Sequence, residues 1–128
     1  MLTARPDPQA PISDADALVL RAKYPLHVPV VVRPANDTRT ALALRKCKFI
    51  VHRDTPLGDF CAVVRKYVDG ITPATGLFYF HEGGRGKSQG RVLVPMGWTV
   101  GQLEFDAGVP EGVLYMWVAG EQTFGRGI

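Results

Sequence analysis

One amphipathic helix set between two pairs of strands restricts this chain to few folds. Phe60, Val63, Val64 and Tyr67 stand at i, i+3, i+4 and i+7, a spacing that puts four apolar side chains on one helical face. Asp54-Thr55-Pro56 ahead of them supplies a capping side chain and a proline for the first turn, and Gly70 closes the helix. Two strands are predicted before it. His27 to Val32 is rich in valine and interrupted by Pro29, which points to an edge or an end, and Lys46 to Arg53 has Phe49, Ile50 and Val51 at its centre. Pro34 to Arg45 reads as the polar connection between them. Two more strands are predicted after the helix, Leu77-Phe78-Tyr79-Phe80 and Arg91 to Pro95, joined by a glycine-rich loop from Glu82 to Gly90.

The flanks complete the order. Ser13 is a suitable N-cap, with Asp14 and Asp16 where carboxylates suit the helix dipole. Ala15, Leu18, Val19 and Ala22 recur at helical spacing until Lys23-Tyr24-Pro25 ends the helix. Residues 1–12 are proline-rich and short of large apolar groups, and are expected to form a flexible arm. Thr99 caps one short helical turn holding Val100 and Leu103. Val113-Leu114-Tyr115-Met116-Trp117-Val118 reads as the last buried strand, with Ala119 to Thr123 carrying the chain out of the fold. The order is helix, two strands, helix, two strands, short helix, strand. With the first helix set aside, that is the α+β order of the ubiquitin-like β-grasp, in which one sheet wraps a central helix. At 128 residues and 46% hydrophobic, the chain is long enough for one domain with a full core.

Other classes are disfavoured. No run approaches the roughly 20 apolar residues of a membrane span, and the N-terminus lacks the apolar stretch of a secretory signal, so a cytoplasmic location is expected. The net charge of +3 is slight and its basic residues are scattered, which argues against nucleic acid. Cys47 and Cys61 read as small buried thiols rather than a disulfide or a nucleophile served by His27, His52 or His81. Gly86-Lys87-Ser88 ends like a phosphate-binding loop. The first glycine of that motif would fall on His81, and a strand rather than a helix follows, so nucleotide hydrolysis is rejected. No nucleophile–base set or metal-ligand spacing is visible, and neither enzyme activity nor a cofactor is expected.

The chain finishes on Phe124-Gly125 followed by Arg126-Gly127-Ile128. A glycine on a short tail has no side chain to block a narrow enzyme channel. Lys23-Tyr24-Pro25 followed by Val28-Pro29-Val30-Val31-Val32 resembles the first strand of the autophagy ubiquitin-like modifiers of the GABARAP and microtubule-associated light-chain group. Lys48-Phe49-Ile50-Val51 resembles their second strand. Gly58 to Lys66, with Phe60 and Arg65-Lys66, resembles their central helix. Leu77 to Phe80, Val100-Gly101-Gln102-Leu103 and Leu114-Tyr115 follow in the family's order, before an aromatic–glycine end. The resemblance runs from about Leu20 to Gly125 and describes a diverged member.

That resemblance implies two functions. A processing cysteine protease would hold Phe124 and cleave after Gly125. A ubiquitin-type activating enzyme and a conjugating enzyme would then pass the bared carboxylate to phosphatidylethanolamine on an autophagosomal membrane, giving the two acyl chains that stable anchoring needs. Adaptor proteins carrying an aromatic-x-x-aliphatic motif would add as a strand to the edge at Lys48 to Val51, with Lys46 and Lys48 favouring acidic flanks. The resemblance places Leu20, Pro29, Val31, Ile50 and Val113 around the aromatic pocket, and Phe49, Val51, Phe60 and Val63 around the aliphatic one. Core packing is the competing account of these residues, stronger for Ile50 than for Phe49 on the opposite face of the strand. The expected layout is a flexible arm over 1–12, the domain over 13–123 and a processing tail over 124–128, in a monomer.

The departures are specific. His27 stands where the family has arginine, which makes one acidic-flank contact weaker or pH-dependent. His52 and Thr55 replace proline and leucine near the aliphatic pocket. The arm lacks the basic and aromatic features of the family's first short helix, so tubulin binding is not carried over. Two alternatives stay open: a ubiquitin-like modifier conjugated to a protein, and a ubiquitin-fold peptide-binding module that is never conjugated. Gly127 is a second candidate cleavage point, and Gly125 is favoured by the aromatic residue before it.

Overall fold

A computed structural model describes residues 12–35, 42–82, 91–108 and 112–120. Among the described residues ten elements occur, in the order α1 (Asp14–Lys23), β1 (His27–Pro34), β2 (Ala43–Leu44), β3 (Lys48–His52), α2 (Leu57–Arg65), β4 (Val68–Asp69), β5 (Leu77–Glu82), β6 (Arg91–Leu93), α3 (Val100–Ala107) and β7 (Leu114–Gly120). Five strands form one mixed sheet in the order β3-β1-β7-β5-β6, while β2 and β4 pair separately. The first and last of these strands, β1 and β7, lie parallel at the centre, from Val30 opposite Leu114 to Pro34 opposite Val118. Every other pairing is antiparallel. This is the expected α+β β-grasp with an added N-terminal helix.

Alternation along the strands divides the side chains between two faces. Val28, Val30 and Val32 of β1 join Phe49 and Val51 of β3 in the main core, together with Leu57, Phe60, Cys61 and Val64 of α2. Phe49 meets Phe60 edge to face at 5.3 Å between centroids. The Tyr79 hydroxyl donates to the Cys61 carbonyl at 3.1 Å, tying α2 to the middle of the sheet. Burial pushes the Cys61 thiol up to about 12. It also raises the Tyr79 phenol to about 12, aided by Cys61 and partly opposed by Arg65. On the other face Ala17 of α1 packs with Val31 and Val113, flanked by Ile12 and Tyr115.

Several local expectations change. Leu18 and Val19 are 59% and 62% exposed, so the inward side of α1 is set by Ala17 and not by Ala15, Leu18, Val19 and Ala22. The start of that helix is as read: the Ser13 hydroxyl accepts from the Asp16 amide at 3.1 Å. Pro29 sits in an interior strand. The Val32 amide donates toward β3, to Cys47, so alternation turns the Pro29 nitrogen toward β7, one residue before that ladder begins, where its missing hydrogen costs no bond. The N-cap of α2 is Pro56 itself, without a side-chain cap, and the helix ends at Arg65; Gly70, at φ 88°, follows β4 instead. Val63 is 41% exposed and lies off the buried stripe. Thr99 caps a full eight-residue helix through a reciprocal capping box with Gln102, closed by Gly108 at φ 73°. Ala119 and Gly120 remain in the sheet, opposite Phe78 and Leu77.

Candidate functional site

The site is one edge of the sheet and the helix beside it. Among the described residues β3 is terminal in the strand order, with only β1 at its side. Val28 and Val30 of β1 lie opposite Val51 and Phe49. Because the Val32 amide reaches Cys47 across the same ladder, the odd-numbered residues of β3 turn their main chain to β1. Lys48 and Ile50 therefore turn their N–H and C=O groups outward. Such an edge can accept a further strand.

The same alternation sends the Lys48 and Ile50 side chains toward α1. Ile12, Asp16, Val19, Leu20, Lys48, Phe49 and Ile50 line a groove of about 390 Å³ between that helix and the edge. The Phe49 ring faces the other way, against Phe60 and Tyr67. Pro29 and Val31 are fully buried opposite Ile50 and Lys48, and Val113 is 7% exposed next to Val31 and Ala17. All five residues expected around the aromatic pocket, Leu20, Pro29, Val31, Ile50 and Val113, thus fall on the α1 side of the sheet; Leu20 and Ile50 line the open groove. Ile50 is 36% exposed and Phe49 7%, so core packing accounts for Phe49 rather than Ile50, the reverse of the expected order.

The aliphatic group divides. Phe49, Val51 and Phe60 are 7%, 8% and 3% exposed and belong to the core, while Val63 stands out on α2. A side chain entering among them has to displace packed rings. Lys46 is exposed, with its Nζ 5.0 Å from the centroid of Phe49 and 5.5 Å from that of Tyr67. His27 and His52 face one another across the ladder at 5.1 Å between rings. The Asp54 amide donates to His52 Nδ1 at 3.0 Å. Phe124, Gly125 and the tail lie outside the described residues, as do 1–11 and 83–90.

What secures α1 was not legible in the sequence. Arg21 donates from Nη2 to the Gly112 carbonyl at 2.9 Å and from Nε at 3.2 Å, and its guanidinium pairs with the buried Glu104 of α3. Arg53, just beyond β3, approaches the same carboxylate at 3.5 Å. The groove wall is thereby bound to α3 through a buried charge. No periodicity announces this, because the three residues lie far apart in the chain. Ile12, Asp16 and Val19 were also missed; the Ser13 cap fixes the helical phase that puts them there.

Both cysteines are free of a disulfide and buried. The upward shift of Cys61 keeps it a thiol, and Cys47 is buried with its Sγ 3.8 Å from the Leu44 carbonyl. Among the described residues no three His, Cys, Asp or Glu side chains cluster as metal ligands, and no helix is long and apolar enough to cross a membrane.

A β-grasp sheet with an exposed edge and an apolar groove defines a ubiquitin-like binding module. The family model described as "Autophagy protein Atg8 ubiquitin like" matches residues 13–125, and the chain belongs to that family. It is 32% identical over 111 residues to Autophagy-related protein 8d of Arabidopsis thaliana, spanning 87% of this chain and 84% of that one. It is 28% identical to Autophagy-related protein 8 of Schizosaccharomyces pombe, over 83% and 79% of the two chains. The crystal structure of Trypanosoma brucei ATG8 superposes with a TM-score of 0.67 at 25% identity, covering 88% of each chain. Plasmodium falciparum Atg8, solved in complex with a Plasmodium falciparum Atg3 peptide, gives 0.64 at 20% identity, covering 82% and 85%. Members of this family are ubiquitin-like modifiers and binding modules of autophagy, not enzymes.

Proposed function

We propose that this chain is a lipid-conjugated autophagy modifier whose β3 edge recruits adaptors. A processing protease holds Phe124 and cleaves after Gly125. An activating enzyme and a conjugating enzyme then transfer the new carboxylate to phosphatidylethanolamine, carrying a cytoplasmic protein onto the autophagosomal membrane. Residues 13–123 act as the binding domain, 1–12 as an arm and 124–128 as the processing tail.

The observation that carries this reading is the unpaired edge at Lys48 and Ile50 beside the α1 groove. An extended peptide pairs with the outward main chain there, and its aromatic anchor enters between Leu20 and Ile50 over Pro29, Val31 and Val113. Lys46 and Lys48 attract acidic flanks. Its aliphatic anchor seats near Val63 by moving the rings of Phe49 and Phe60, with Val51 beneath. The Atg3 peptide held by the Plasmodium falciparum neighbour supports recognition of a partner's peptide segment by this fold.

Intact mass tests the conjugation half, after the full chain is treated with the processing protease of its own cells. Loss of Arg126, Gly127 and Ile128 together is expected, and Gly125→Ala should abolish the lipid adduct. A protein adduct in place of the lipid one, or no cleavage by a protease active on a control, would overturn lipid conjugation.

A further inference from the structure

Two histidines extend the peptide groove toward the end of the β1–β3 ladder. His27 lies opposite His52, and the next pair of side chains on that face is Pro29 opposite Ile50. Residues two apart on a strand share a face, which puts both imidazoles on the α1 side of the sheet with Ile50. Their rings meet edge to face at 5.1 Å between centroids. Tyr24, just past α1, packs on His27 at 5.8 Å. Both histidines are partly exposed, so a strand added to the edge can reach them.

The hydrogen bonds leave this pair without enough anions for two protons. Nδ1 of His27 is buried and has no hydrogen-bond partner among the described residues. His52 Nδ1 accepts the Asp54 amide at 3.0 Å, so its neutral ring carries the proton on Nε2. Protonation of His52 ends that bond and turns Nδ1 into a donor toward the Asp54 carboxylate, 4.0 Å away and 86% exposed. The other charges nearby do not balance a second proton. Lys23 brings a cation, 5.5 Å above the Tyr24 ring, and Arg21 and Arg53 put two more around the single buried carboxylate of Glu104. Two protonated rings this close repel each other, and an anion from outside removes the conflict.

We propose that His27 and His52 form a proton-gated specificity site, reading a carboxylate two residues after the aromatic anchor of a bound peptide. This deepens the proposed adaptor site and rests on it. With the aromatic anchor at Ile50 and the aliphatic one over Val51, the peptide runs parallel to β3. Its residue two past the aromatic anchor then lies beside His52 on the α1 side. A glutamate there accepts from the imidazolium pair and favours the protonated form. Affinity therefore rises as pH falls through the range in which histidine takes up its charge. The glutamate itself stays ionised down to about pH 5. A fixed cation would select acid at every pH, whereas this pair makes the selection conditional.

Calorimetry on the full chain tests this at pH 7.5 and 5.5, with acetyl-Ser-Trp-Ser-Glu-Leu-Ser-amide and the same peptide carrying glutamine for glutamate. The glutamate peptide should bind about fivefold more tightly at the lower pH, and the glutamine peptide should not. His27→Gln combined with His52→Gln should abolish that gain, while His27→Arg should keep the glutamate preference at both pH values. Equal gains for the two peptides, or a gain that survives in the double Gln variant, would overturn the proposal. The glutamine peptide at pH 7.5 reports on the edge alone. If it fails to bind, the adaptor site falls and this proposal with it; if it binds and the pH gain is missing, only the proton gate falls.

Discussion

α2 buries four side chains against one face of the sheet, Leu57, Phe60, Cys61 and Val64, whereas α1 buries only Ala17 against the other. α2 belongs to the core. α1 rests on a thin apolar patch and is fastened by Arg21 to Gly112 and Glu104. A helix held tightly along its length closes the surface beneath it, while one held at a few points leaves a groove. The weaker packing of α1 is what makes Leu20 and Ile50 reachable beside the sheet edge.

The largest expected effect should come from the core side. Phe60→Ala should cost about 3–5 kcal/mol in urea unfolding, against less than about 0.5 kcal/mol for Leu18→Ala. Similar losses from both would break the contrast between the helices. Glu104→Ala leaves two arginines facing a vacated carboxylate and should cost about 3 kcal/mol. Hydrogen exchange should then rise in α1 before α2; uniform protection would mean that the ion pair does not fasten the helix. Ile50→Asp should weaken an aromatic-x-x-aliphatic peptide at least about tenfold, read by calorimetry, with little change in unfolding midpoint.

The last effect is alkaline. Cys61 and Tyr79 have folded values of about 12 against ordinary values of 9.0 and 10.0. The fold therefore retains protons that the unfolded chain releases. The stability they contribute is present below those ordinary values and is lost as pH rises from about 9 to 12 for Cys61 and from about 10 to 12 for Tyr79. A flat unfolding free energy over that window would show that burial does not hold these protons.

Much of this was legible where apolar spacing is local. Phe60 and Val64, Val28 to Val32 and Leu114 to Val118 declare a helix and two strands because each pattern is complete within a few residues. The β3 edge was readable only through the family resemblance, because no local spacing marks a strand as terminal. Spacing misjudged α1 because its apolar residues point partly to water, and the buried neighbour is an alanine, which carries little pattern. β2 and β4 escaped notice because two residues hold no periodicity. Nothing local in the sequence marks Arg21, Arg53 and Glu104. Only the closure of the fold brings them together.

The parallel pairing of β1 with β7 also bears on how the protein is made. The central ladder joins the first sheet strand to the last, so a growing chain has β1, β3 and β5 long before it has the strand that fits between β1 and β5. Until Leu114–Gly120 emerges, both of those neighbours present valine- and aromatic-rich edges with open main-chain groups, the kind of surface on which chains aggregate. Assembly of the sheet is a late, long-range event, slow for its size. A nascent chain of this protein needs shielding from its own kind until its final strand arrives.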